Sequence, residues 1–489
     1  MGQNKGRLKV KIHITNNMCR IMGSVPLLEE IHEDFKIKVK GAFFSPAFRK
    51  RQWDGKKPWV TSTGNFNTGL LPKVLNYLKA NEVEVELLDN REMMIAGKLP
   101  DSIGGLTLRG YQKESTQAVV DSTLFGIQWP RGILHEATNA GKNLIAAAIH
   151  ETYEDGTTFF FVHRTLLYKQ AIKEIGNLLG KSEVGMIGPG VVKISRFNIC
   201  MIRSFGLKCH LAEVRKATAN ATKVIVDECH RAASKEYQKA LSNFYNSPIR
   251  IGLSGTPDLK GDKNYLESMR AFFGEKLHHT SNMDLVEGGY STRPIIRISL
   301  GEYRRKLPGD YKGEYDLVIT KNKSRNRKVW SKVLKKANKG IYPIMVFTKY
   351  IEHAKRLYSQ MPEEIRNNYS VGVIHSKVKN KEAILDKFKV GKIDILIATH
   401  LIHEGQNMPL IKYAINCGGS DSATVIVQWV GRMLRTHKTK KKVIIEDIFD
   451  LGTYLKRHSK HRVRYYKAEG FEVIEKYKEQ AKKRSIRIY

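Results

Sequence analysis

Residues 224–230 read VIVDECH. Three apolar, β-branched residues in a row are what a strand looks like when a parallel sheet is covered by helices on both faces. The run stops at Asp227 and Glu228, which puts two carboxylates at the carboxyl end of that strand. In open α/β sheets this is the edge where ligands bind. Asp227 is expected there to hold Mg²⁺, usually through water, and Glu228 to polarise a water attacking a phosphoryl group. The plainer reading is an acidic helix cap after a strand. Against it stands a second stretch roughly 85 residues upstream, HEATNAGKN at 135–143. Ile133-Leu134 can end a strand, EATNAG can turn, and KNLIAAAIHETY is a good helix. Gly141 lets a phosphate approach the backbone, amides at the helix start point towards it, and Lys142 supplies charge for the outer phosphates. Thr138, Asn139 and Ala140 complete the loop. The next residue ordinarily carries a hydroxyl that helps ligate Mg²⁺, whereas Asn143 offers a carboxamide oxygen and brings a bulkier NH₂ group with it. Asn143 and Asp227 are therefore the expected metal ligands. Two readings of Asn143 stay open: a working variant site with weaker metal binding, or a lesion that leaves ATP binding partly intact and slows hydrolysis.

The whole chain sets the scale. With 489 residues, 41% hydrophobic residues and only 14 prolines, it reads as about three folded domains. Lys and Arg number 84 against 48 Asp and Glu, a formal charge of +36, and 21 Tyr and 18 Phe accompany them. That field attracts polyanions, and nucleic acid is the expected partner. The five cysteines (Cys19, Cys200, Cys209, Cys229 and Cys417) form no C-x-x-C pair, so neither a zinc site nor disulfides are expected. No apolar run approaches the roughly 20 residues that span a bilayer. A cytoplasmic protein without a membrane partner is expected.

Residues 1–100 read as a small α/β module. Leu8, Val10, Ile12 and Ile14 alternate with polar residues, Ser24 can cap a helix towards Phe35, and Leu70, Leu71, Val74, Leu75 and Leu78 make a helical stripe. PDSIGG at 100–105 breaks both periodicities and reads as a linker. Over 105–290 short apolar runs (FFFVH 159–163, KVIVDE 223–228, RIGLSGT 250–256) alternate with helix-like stretches, and a second such series fills 291–455. Residues 456–489 form a basic extension, either a helix packed on the second lobe or a solvated end.

With DECH followed by LSGTP at 253–257, the chain resembles the superfamily 2 helicases and translocases, over about residues 105–455. The resemblance implies an α/β fold with two tandem RecA-like lobes, here preceded by the small α/β module, and an ATP- and Mg²⁺-dependent activity. In LRGYQKE (108–114) Gln112 matches the adenine reader, supported by Arg109 and Tyr111. FVHRTLLYKQ and VGMIGPG carry Arg164 and Gly188, which with Ser204 match backbone-contacting positions of the first lobe. His375, Thr399 and Gly405 match positions of the second, with Gln406-Asn407 where an Ile-Asp pair is common. QWVGRMLR (428–435) has the Q-x-x-G-R-x-x-R spacing. On a helix Gln428, Arg432 and Arg435 would share one face, and the family assigns the two arginines to the γ-phosphate.

FRKRQWDGKKPWV with NTGLLPKVLNYL resembles the N-terminal module of phage recombination helicases. That likeness implies DNA, forked or branched, with one strand tracked through the lobes of a monomeric motor in the host cytoplasm. Arg51 and Lys56 would meet phosphates, and Trp53 or Trp59 would stack on an unpaired base. An ATP-gated DNA clamp with impaired hydrolysis and an RNA helicase remain as alternatives.

Overall fold

In the computed structural model, which describes residues 8–256, 262–302, 307–399 and 408–486, Val10, Ile12 and Ile14 turn one face of a strand inward as their alternation requires. This is β1 (Lys9–Ile14). It pairs antiparallel with β2 (Met18–Met22) and parallel with β4 (Glu84–Asp89), and β3 (Asn65–Asn67) completes a four-stranded sheet of order β3-β2-β1-β4. Helices α1 (Val25–Asp34) and α2 (Leu71–Ala80) both carry proline in the first turn, where its missing N–H costs nothing. Leu71, Val74, Leu75 and Leu78 of α2 are buried, one stripe at helical spacing.

The chain divides into two compact units, residues 1–136 with 140–280 and residues 281–489 with 137–139. The N-terminal module falls in the first unit together with the first large sheet. That sheet has eight strands: β5 (Arg131–Glu136), β6 (Thr157–Val162), β7 (Val184–Gly188), β8 (Val191–Lys193), β9 (Phe197–Met201), β10 (Ala221–Asp227), β11 (Ile249–Ser254) and β12 (Lys276–Thr280), in the order β8-β7-β9-β6-β10-β11-β5-β12. Its pairings are parallel except that of the edge strand β8. Phe160 packs into the core on one face, whereas Phe159 and Phe161 pack into the core on the other. That is why this strand reads as an unbroken apolar run. The helices that position the site are α3 (Gly110–Val120), α4 (Lys142–Thr152), α5 (Thr165–Leu179), α6 (Ile202–Lys208) and α7 (Lys263–Phe273).

Module and sheet share contacts of a buried kind. Arg131 and Arg250, at the starts of β5 and β11, reach the turn between β1 and β2: an Arg131 guanidinium N–H donates to the Asn16 carbonyl at 2.9 Å, and Arg250 bonds the Asn17 side chain. Trp129 lies close to two cations, Arg131 and Arg91, whose guanidinium carbons are 5.4 and 4.7 Å from its ring centre. Against α7, Trp59 Nε1 donates to Asn264 Oδ1 at 3.1 Å and Lys73 pairs with Glu267 at 2.9 Å. Gly69 comes so close that a Cβ there would stand 2.0 Å from the Arg270 carbonyl oxygen.

The second unit is built on a seven-stranded sheet: β13 (Arg293–Leu300), β14 (Ile344–Phe347), β15 (Val371–Ile374), β16 (Ile395–Ala398), β17 (Tyr413–Asn416), β18 (Lys442–Phe449) and β19 (Glu472–Ile474), in the order β15-β16-β14-β17-β18-β13-β19 and parallel throughout. Helix α8 (Ala423–Met433) precedes β18, and α9 (Tyr454–Ala468) follows it. The expected α/β architecture, two parallel-sheet lobes after a small α/β module, is the one found. The basic extension is packed rather than solvated. Arg462 of α9 is buried with Nε 3.0 Å from Asp447 Oδ2, Tyr466 donates to the same carboxylate at 2.7 Å, and β19 joins the sheet beside β13. Among the described residues no helix is long and apolar enough to cross a membrane.

Gly69→Ala should lower the thermal stability of the chain, because its methyl group meets backbone that cannot turn aside. Overpacking of this sort costs about 1–3 kcal/mol, and a calorimetric melt against the unaltered chain measures it.

Candidate active site

The loop between β5 and α4 is shaped by left-handed backbone. Asn139 and Gly141 both have φ 79°, and Gly141 is the N-cap of α4. A side chain at Gly141 would place its Cβ 2.6 Å from Gln112 Nε2, so glycine is required for space as well as for φ. Ala140 is buried, and its carbonyl accepts from Gln112 Nε2 at 2.8 Å and from the Tyr111 hydroxyl at 3.1 Å. Gln112 Oε1 in turn accepts from the Arg109 backbone N–H at 3.0 Å, while the Arg109 side chain donates to Tyr111 Oη at 3.1 Å. Arg109, Tyr111 and Gln112 thus brace the loop from the start of α3, a task their sequence pattern does not announce. Thr138 is half-buried.

Lys142 opens α4, and its Nζ lies 3.9 Å from Glu228 Oε1. Glu228 follows β10 with φ 52° and ψ 51°, an unusual backbone for a non-glycine residue, costing about 1–3 kcal/mol. Its other oxygen lies 3.1 Å from His230 Nδ1, and His230 Nδ1 is also 3.2 Å from Ser254 Oγ at the end of β11. Ser254 Oγ accepts from the Thr256 N–H at 3.1 Å. Burial by itself would push the Glu228 carboxyl up, but Lys142 and His230 outweigh it and hold the group below the usual carboxylate range. Asp227 goes the other way: burial first, then its neighbour Glu228, raises it. Asp227 Oδ1 and Thr256 Oγ1 are buried without a hydrogen-bond partner. An orphaned carboxylate oxygen beside an ionised carboxylate is a fit for a hard divalent cation. Sequence reasoning missed His230 and Ser254 as site residues, although DECH and LSGTP were in view.

Asn143 stands in the first turn of α4. Its Nδ2 donates to Glu174 Oε2 on α5 at 2.6 Å, and Glu174 Oε1 accepts from Gln170 Nε2 at 2.7 Å.

Of the positions matched to strand contact, Arg164 is the exposed N-cap of α5 and Ser204 lies buried in α6. Gly188 ends β7, where a Cβ would stand 2.3 Å from the Tyr168 hydroxyl oxygen, so packing alone demands glycine there. In the second unit His375 follows β15 and accepts from the Lys377 N–H at 3.3 Å, and Thr399 follows β16. Gly405, with Gln406 and Asn407, lies outside the described residues. Gln428 and Arg432 lie on α8, but the helix ends at Met433 with Leu434 as its cap. Arg435 is past it, in an antiparallel bridge with Ser291, so the expected helical face does not reach Arg435.

In the N-terminal module Arg51 (φ 56°) and Lys56 are exposed, and Trp53 is half-buried with Nε1 donating to the Lys56 carbonyl at 2.6 Å. Trp59 is buried against α7 and offers no face for stacking, which corrects the expectation for that residue. Two aromatic residues that sequence reasoning passed over, Phe43 and Phe44, are exposed beside this patch with ring centres 3.9 Å apart.

Comparison with known proteins adds the following. A family model described as type III restriction enzyme, res subunit, matches residues 105–259, and one described as helicase conserved C-terminal domain matches 326–437. The chain is 23% identical to the ATP-dependent DNA helicase uvsW of Enterobacteria phage T4, over 96% of this chain and 99% of that one. It is 24% identical to the DNA 3'-5' translocase XPB2 of Sulfurisphaera tokodaii, over 80% of this chain and 91% of that one. Among solved structures, a fragment of a putative HsdR subunit of a type I restriction enzyme from Vibrio vulnificus YJ016 superimposes with a TM-score of 0.57 at 18% identity, covering 78% of this chain and 69% of that one.

Gln112→Ala should loosen the loop by removing both of its braces on Ala140 and Arg109. Losing a buried hydrogen-bond pair costs about 1–3 kcal/mol. Nucleotide affinity should fall about tenfold or more, each 1.4 kcal/mol being tenfold, as read by titration with a fluorescent ATP analogue.

Proposed function

We propose that this chain, which belongs to helicase superfamily 2, is an ATP-driven DNA motor acting on forked or branched DNA, in unwinding, branch migration or fork repair. One observation carries the ATP chemistry: Lys142 and Glu228 stand together at the sheet edge beside a buried Asp227 oxygen that has no protein partner. Similarity to the phage T4 DNA helicase, which runs through the N-terminal module as well as the lobes, supports DNA as the track.

In this reading the Gly141 backbone and Lys142 take the outer phosphates of ATP. Glu228, kept ionised by Lys142 and His230, orients and polarises the attacking water. Asp227 and Asn143 are the residues that would hold Mg²⁺. When bound, the ion neutralises charge building on the transferring phosphoryl group. His230 links Glu228 to Ser254, so the end of β10 and the end of β11 respond together. Gln428, Arg432 and Arg435 take the roles the family gives them towards the γ-phosphate. Arg164, Gly188 and Ser204 in the first unit, with His375 and Thr399 in the second, contact the backbone of one strand. Arg51 and Lys56 bind phosphates without reading sequence, and Trp53 stacks on a base where the strands part.

The test is steady-state ATP hydrolysis with Mg²⁺, alone and with forked DNA, linear duplex or duplex RNA. Hydrolysis should rise with forked DNA, and Glu228→Gln should reduce it at least about a hundredfold, as loss of a general base does. Stimulation by RNA in preference to forked DNA overturns the choice of track. A chain that binds ATP and DNA without turnover, while Asn143→Thr turns over, is the ATP-gated clamp instead.

A further inference from the structure

The residue that departs from the usual loop has a neighbour that suits it. A carboxamide has two ends of opposite character, an oxygen that can ligate a cation and an NH₂ that repels one, and rotation by half a turn exchanges them. A threonine hydroxyl has no such ambiguity. Here the end of Asn143 that faces α5 meets Glu174 Oε2 at 2.6 Å. A carboxylate only accepts, so that end is the NH₂, and the reversed amide would set oxygen against oxygen. The Asn143 carbonyl oxygen is thereby turned away from Glu174. The carboxylate is itself fixed, because Gln170 Nε2 holds its other oxygen at 2.7 Å. Helices α4 and α5 share one core through Ile145, Ala148, Ala171 and Ile175, so the pair is carried on a rigid support.

We propose that Glu174 is a positioning residue: it fixes the Asn143 carboxamide with its oxygen as the available end, so that asparagine serves as a cation ligand where a hydroxyl is usual. The inference rests on the ATP and Mg²⁺ reading above. Glu174 touches neither nucleotide nor metal in this account and acts only through Asn143.

The experiment measures binding rather than turnover. A non-hydrolysable fluorescent ATP analogue is titrated onto the full chain in EDTA and then at rising Mg²⁺, for wild type, Glu174→Ala, Glu174→Gln, Asn143→Thr and the Glu174→Ala/Asn143→Thr double variant. Removing a residue that orients a metal ligand typically weakens metal binding about 10–100-fold. Glu174→Ala should therefore need about tenfold more Mg²⁺ for half-maximal tight binding, with its affinity in EDTA unchanged, which also shows an intact fold. Glu174→Gln keeps a carbonyl oxygen that accepts from Asn143 and should restore most of the loss. In the Asn143→Thr background, Glu174→Ala should change nothing. An unmoved Mg²⁺ requirement in Glu174→Ala overturns the inference, as does an equal shift in both backgrounds or a Gln variant as impaired as the Ala variant. A wild-type chain that binds no nucleotide overturns the ATP reading itself, whereas wild-type binding with an unmoved Ala variant overturns this inference alone.

Discussion

Two carboxylates on consecutive residues, at the end of a strand with Val224, Ile225 and Val226 behind them, cannot both carry charge unless something positive is held against them. The first unit meets that constraint for Glu228 with Lys142 and His230, and leaves Asp227 with an oxygen that no protein group satisfies. Much of the local architecture follows. The Lys142 ammonium is in range only because Gly141 adopts a left-handed turn before α4. The turn is steadied because Gln112 and Tyr111 grip the Ala140 carbonyl. His230 is in range because Glu228 bends the chain back through its own left-handed conformation.

What the sequence made legible is what burial on two faces dictates. Phe159, Phe160 and Phe161 had to be a covered strand, and Val224 to Val226 likewise, because no half-exposed strand tolerates such runs. The place of Asp227 and Glu228 at the sheet edge followed from where the second run stopped. Other features were hidden because their partners are remote in sequence. Arg462 reads as one more base in a basic tail until Asp447, on β18, is seen beside it. Gly188 fits a strand-contacting motif, yet the ring of Tyr168 already requires a glycine there. Arg435 has the spacing of a helical face, but α8 stops short of it. Glu174 is an exposed acid on an amphipathic helix, indistinguishable from a solvated surface residue until Asn143 is placed against it.

The N-terminal module shows the same difficulty on a larger scale. Its sheet and helices were readable from alternation and from the stripe on α2, but its attachment was not. Trp59 sits in an aromatic and basic stretch that suggests an exposed contact, and instead it is buried on Asn264 of α7. Arg131 and Arg250 look like interruptions of apolar strands. They are the groups that reach the turn between β1 and β2, Arg131 donating to the Asn16 carbonyl and Arg250 to the Asn17 side chain. Burial lowers the proton affinity of Arg131, with Arg250 and Arg91 adding to the effect; the Trp129 ring lies beside Arg131, and of the three cations Arg91 has a carboxylate partner, Asp89.

Arg131 is the first residue of the strand whose last residue, Glu136, leads into the loop before α4. Six residues of strand span about 20 Å at 3.3 Å each. One stiff segment therefore ends in the loop on one side and in the module's anchor on the other, and β11 repeats the arrangement with Arg250 near its start and Ser254 at its end. Load placed on the module has no slack tether in which to dissipate. It enters the sheet as tension or compression along two neighbouring struts, and leaves them at the Gly141 loop and at Ser254, where the nucleotide site is proposed.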